Sequence, residues 1–144
     1  MKLFSQDTKV QALKHAPLFE GLSRKELANL ARVSEDLEVE PGTVLCKEGE
    51  TGHEFFVLVD GKVKVTRKRR SLGTRGSGDF VGEIALLEDI PRTATVIAET
   101  PVRLFVLTRK DFRHLLDENP RVERKVMRTL ARRLAETSTD PTLA

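Results

Sequence analysis

Apolar positions along this chain change their period twice. Between residues 8 and 33 they recur at helical spacing. From about Leu37 to Thr108 they follow a period of two, interrupted by glycines, and from Phe112 onward the helical spacing returns. Val10 and Leu13 ahead of Pro17 predict a weak helix over 8–16. Leu22, Leu27, Leu30 and Ala31 supply the apolar face of a second helix. It begins at Ser23, which stands three residues before Glu26 as in a capping box, and ends near Val33. Strands are predicted at Leu37–Val39, Thr43–Cys46, Glu54–Val59, Lys62–Thr66 and from Ser71, with two more at Ala94–Ala98 and Val102–Thr108. Asp60-Gly61 reads as a hairpin turn. Thr108 with Asp111 predicts the cap of a further helix, and Pro120 suits the first turn of the last one, which runs to about Glu136. About eight short strands between helices make the fold mainly β with flanking helices (α+β). The expected form is a double-stranded β-helix or jelly-roll-like β-roll with N-terminal helices and two C-terminal helices. Residues 1–35 are the N-terminal helical segment, 36–108 the roll and 109–138 the C-terminal helices, all in one domain.

Composition narrows the function classes. A chain of 144 residues is long enough for one domain with a real core. A net charge of +3 demands no nucleic-acid partner. The single cysteine, Cys46, excludes a disulfide framework and a thiolate metal cage, and His15, His53 and His114 share no ligand spacing. Neither a metal nor a catalytic cofactor is expected. The longest apolar run, Phe55–Val59, is far short of the roughly 20 residues of a membrane span. With no signal peptide at the N-terminus, the chain reads as cytoplasmic. No nucleophile, base and orienting group form a catalytic set, so it does not read as an enzyme. Arg67–Arg70 reads as a charged hairpin tip. Arg121, Arg124, Lys125, Arg128, Arg132 and Arg133 read as a solvated face of the last helix, although Arg133 falls within its apolar arc.

The candidate chemistry lies between Phe80 and Val96. Gly82 precedes a short apolar helix whose first N–H groups have no intrahelical partner, an arrangement that suits an anion. With no Cβ, Gly82 lets a ligand approach the backbone. Arg92, at the lip of a β-branched strand, offers two parallel donors to the same anion. Glu83 repels a bare phosphate but accepts from a hydroxyl, and a phosphate beside a hydroxyl suggests a nucleotide.

Gly78-Asp79-Phe80-Val81-Gly82-Glu83-Ile84-Ala85-Leu86, followed by Pro91-Arg92-Thr93-Ala94-Thr95-Val96, resembles the phosphate-binding cassette of the cyclic nucleotide-binding domain. That family is the β-roll module shared by bacterial catabolite activator proteins, cyclic-nucleotide-dependent kinases and cyclic-nucleotide-gated channels, and the resemblance covers about residues 15–138. It implies that Glu83 accepts from the ribose 2′-hydroxyl and that Arg92 pairs with the phosphate. It also implies that Gly82 and the backbone around Ile84 and Ala85 contact ribose and phosphate, and that Thr93 lies near phosphate and base. Ala131–Ser138 resembles the end of the long C-terminal helix of catabolite activator proteins, which places Thr137 and Ser138 against an adenine. The resemblance therefore implies cAMP as ligand. Threonine at position 93 keeps cGMP as the alternative. It further implies signalling through the C-terminal helix, to a second copy of the chain in a homodimer or to an effector protein or domain. The helix-turn-helix that follows in catabolite activator proteins is absent from these 144 residues, so DNA binding is not carried over.

Overall fold

The computed structural model describes residues 6–137. Two N-terminal helices, α1 (Gln6–His15) and α2 (Arg24–Val33), are joined by a 3-10 turn at Pro17–Phe19. Ser23 caps α2 with both bonds of the capping box: its hydroxyl accepts from Glu26 N–H at 3.1 Å, and Glu26 accepts from Ser23 N–H at 2.9 Å. Ser23→Ala removes one of these bonds, and we expect it to lower stability by about 1 kcal/mol. The change would be read as a lower urea midpoint at unchanged slope.

Eight strands form two four-stranded antiparallel sheets. One has the order β1 (Glu35–Val39), β8 (Val102–Thr108), β3 (Glu54–Asp60), β6 (Phe80–Val81). The other has the order β2 (Val44–Cys46), β7 (Thr95–Ala98), β4 (Val63–Arg67), β5 (Arg70–Arg75). The β-roll with flanking helices is as expected. Strand β3 reads as an unbroken apolar run because both of its faces are covered. Phe55 and Val57 point to the helices, whereas Phe56 and Leu58 point between the sheets. Strand β8 divides in the same way, with Phe105 and Leu107 toward the helices and Val102, Leu104 and Val106 between the sheets. Two hydrophobic clusters thus share the middle sheet. On the helical side Phe55 stacks on Phe112, with ring centroids 4.2 Å apart.

One expectation fails. Asp60-Gly61 does not close a hairpin, because β3 and β4 lie in different sheets. Asp60 accepts from Gly61 N–H at 3.0 Å, so the local turn chemistry is present, but it carries the chain across the roll. The hairpin is β4–β5, with the basic residues at its tip as predicted. Lys68 and Arg69 there have φ of 50° and 66°, the doubly left-handed turn that suits the twist of two strands.

Helix α4 (Arg109–Glu118) follows β8 directly, and Thr108 caps it by accepting from Asp111 N–H at 3.2 Å. Helix α5 (Pro120–Thr137) packs on the core through Val122 and Val126. Edge strand β1 is pinned to β8 by a buried ion pair: Arg103 donates Nε and Nη2 to the two Asp36 oxygens at 3.2 and 2.8 Å. Among the described residues no helix is long and apolar enough to cross a membrane, and no cluster of His, Cys, Asp and Glu could hold a metal.

Candidate functional site

Gly82 turns the chain from β6 into α3 (Glu83–Glu88) with φ of 91° and ψ of 2°, in the left-handed region. A Cβ at this position would lie 2.7 Å from Arg92 Nη1 and 2.9 Å from Glu54 O. Glycine is therefore required both for the backbone and for the space.

Arg92 is buried, at 7% exposure. Its Nη1 donates to Gly82 O at 2.8 Å and its Nη2 to Glu54 O at 2.7 Å. Two of its five N–H groups thus hold the cassette against β3. Its main chain is fixed as well, since Arg92 N–H donates to Glu50 O at 2.8 Å. A Cβ on Gly52 would lie 2.6 Å from Arg92 Nε, so Gly52 makes the space in which the guanidinium sits.

Glu83 is 3% exposed and meets the last helix. Arg133 of α5 donates Nη1 to Glu83 Oε1 at 3.0 Å and Nη2 to Phe80 O at 2.7 Å, and its Cζ lies 4.8 Å from the centroid of the Phe80 ring. Burial pushes the Glu83 carboxyl above its ordinary value of 4.5, and the Arg133 charge opposes this without cancelling it. Burial likewise lowers Arg133, with Glu83 opposing. Both directions follow from taking an ion pair out of water.

The sign for stability follows from the Glu83 shift. A carboxyl raised in the folded state is protonated there before it is protonated in the unfolded chain. Its contribution is therefore fully present at low pH and declines as pH rises from 4.5 through the raised value. Urea unfolding across that window should show the unsubstituted chain losing stability relative to Glu83→Gln as pH rises. A difference that stays constant with pH would refute the shift.

These side chains converge on a cavity of about 340 Å³ between α3, α5 and the β2–β7–β4–β5 sheet. Gly82, Glu83, Ile84, Ala85, Arg92 and Thr93 all line it, so the structure brings together six of the eight residues expected from sequence. Thr137 is the last residue of α5, and its side chain is outside what the structure describes. Ser138 lies outside the described residues. The opposite walls are apolar, formed by Val65 and Leu72 of the β4–β5 hairpin and Leu130 and Leu134 of α5, and Arg67 and Arg75 stand at the hairpin side. Cys46 is buried in the lining, and burial raises its thiol to about 11, so it is a core side chain and a poor nucleophile.

Neither Gly52 nor Arg133 stands out in the sequence. Arg133 interrupts an apolar helix arc, and that interruption is the one available signal: a cation on a packing face needs a buried partner. Lys125 also leaves the expected solvated face, donating to Pro17 O at 2.8 Å and Glu20 O at 3.2 Å. Arg121, Arg124, Arg128 and Arg132 are exposed, as expected.

A family model described as a cyclic nucleotide-binding domain matches residues 36–119, more than half of the chain. A cAMP-dependent protein kinase regulatory subunit of Yarrowia lipolytica is 40% identical over 106 residues, 72% of this chain and 28% of that one. Among solved structures, the cAMP-bound PfPKA-R superposes with a TM-score of 0.82 at 29% identity, over 96% of this chain and 49% of that one. The catabolite activator protein of Thermus thermophilus gives 0.73 at 30% identity, over 83% and 59%. The chain thus spans between 28% and 59% of the length of these relatives.

Proposed function

The chain belongs to the cyclic nucleotide-binding domain family, and on that premise we propose that it binds cAMP in the α3–α5 cavity and signals by moving α5. The observation that carries this reading is the convergence of Arg92, Glu83 and the Gly82–Ala85 backbone on one cavity with apolar far walls. The cavity falls in the size range of small-molecule sites. Arg92 and the adjoining backbone take the cyclic phosphate, Glu83 takes the ribose 2′-hydroxyl, and Val65, Leu72, Leu130 and Leu134 enclose the base. Thr137 and Ser138 are assigned to the adenine on the family resemblance alone. Thr93, which lines the same cavity, supports cGMP as the second reading, because its hydroxyl suits the 2-amino group of a guanine.

The output follows from Arg133. It holds Glu83, the group the ribose needs. A nucleotide hydroxyl at Glu83 competes with Arg133 and changes how α5 is anchored. Ligand shifts that helix only by its differential affinity for the two arrangements. Met127, at 47% exposure on α5, offers an apolar contact to a second copy or to an effector domain. The role is regulatory rather than catalytic, and we place it in the cytoplasm.

Calorimetry tests the reading. Cyclic AMP should bind with a dissociation constant near micromolar, about −8 kcal/mol. The 2′-deoxy analogue should bind about tenfold to a hundredfold more weakly, because it lacks one charge-assisted hydrogen bond. No heat with cAMP or cGMP up to about millimolar would overturn the function. Equal affinity for the deoxy analogue would overturn the role of Glu83.

A further inference from the structure

The end of α3 remote from the cavity is held by two arginines one turn apart on α4. Arg113 donates Nε and Nη2 to Leu86 O at 3.2 and 3.0 Å. Arg109 donates Nη1 to the Asp89 carboxylate and Nη2 to Gly52 O at 2.9 Å, and the same nitrogen lies 3.5 Å from Ala85 O. Neither arginine lines the cavity.

Helix α3 has six residues, too few to persist in isolation. The last carbonyls of a helix have no intrahelical partner, and cations at that end also complement the helix dipole. Here the chain leaves α3 through Asp89, a non-glycine residue at φ 58°, and the Asp89 side chain is held by Arg109. Arg109 also grips Gly52, the residue whose missing Cβ makes room for Arg92. Two bonds from one guanidinium fix the Leu86 carbonyl in direction as well as position.

We infer that Arg109 and Arg113 are positioning residues for the nucleotide site. They hold the α3 backbone in the orientation that presents Gly82 and Glu83 to the ligand, and they tie that backbone to α4. Helix α4 leads through Asn119 into α5, which returns to the start of α3 through Arg133. Helix α3 is therefore gripped at both ends by one C-terminal helical unit. The inference deepens the proposed function and rests on it.

The test uses the full chain, unsubstituted and as Arg113→Ala, Arg113→Lys and Arg109→Ala. Amide hydrogen exchange is followed without nucleotide, and cAMP affinity is measured by calorimetry. Arg113→Ala and Arg109→Ala should each speed exchange over residues 83–89 about tenfold, leave β3 and β8 within about twofold, and weaken cAMP about tenfold. Arg113→Lys, which keeps one donor for Leu86 O, should return both readouts to within about threefold of the unsubstituted chain. A merely structural loss would instead raise exchange in β3 and β8 together with α3. The inference is overturned if exchange in α3 does not change. It is also overturned if cAMP affinity stays within twofold in both alanine variants, or if Arg113→Lys rescues nothing. Should Arg113→Ala fail to fold, Arg113→Lys against Arg109→Ala decides by the same criteria. Failure of the unsubstituted chain to bind cAMP would overturn the proposed function instead, and it is seen separately in the first titration.

Discussion

Arg92→Ala is expected to weaken cAMP binding at least a hundredfold while the β-roll survives. Two losses combine. The phosphate loses a charge-assisted, bidentate partner, and each such hydrogen bond contributes about 1.5–3 kcal/mol. The Gly82 and Glu54 carbonyls, held by Arg92 at 2.8 and 2.7 Å, also lose their donors. A buried carbonyl left without a partner costs about 1–3 kcal/mol, reduced where water enters the emptied space. We therefore expect a fall in stability of about 2 kcal/mol beside the loss of affinity. Arg92→Lys should recover the charge but not the fork, and bind between the two. Calorimetry and urea unfolding of the same samples separate the effects. An unchanged dissociation constant in Arg92→Ala would mean that the anion sits elsewhere.

Gly82→Ala should be nearly as damaging by a different route. The backbone at φ 91° is in a region that L-residues seldom occupy, and a Cβ would meet both Arg92 Nη1 at 2.7 Å and Glu54 O at 2.9 Å. Glu54 O is main chain of β3, held in register with β8 through Glu54 opposite Thr108, so it gives way less readily than a side chain. The strain falls on α3 and the Arg92 guanidinium, the two parts that form the phosphate end. A loss of about 2–3 kcal/mol of stability is expected, together with at least tenfold weaker cAMP binding. A variant that keeps both its urea midpoint and its affinity would show that the cassette backbone is not fixed as described.

What was legible in the sequence was local or contiguous. The capping box at Ser23 acts within one turn, so its residues announce it. The cassette runs almost without interruption from Gly78 to Val96, so its chemistry appears in order along the chain. The contacts that sequence could not give join distant residues. Glu83 and Arg133 are 50 positions apart, and Arg92 and Gly52 belong to different segments brought together only by the roll. Asp60-Gly61 shows the same limit from the other side: a dipeptide specifies a turn, but which strands pair depends on where each apolar face is buried. Strand β6 has two residues and no period to read.

Pairing of β1 with β8 sets Glu35 opposite Val106, so the roll begins and ends at neighbouring positions of one sheet. The N-terminal and C-terminal helices therefore leave the roll from one place, which is why residues as far apart in sequence as Leu27 and Val122 share a single core.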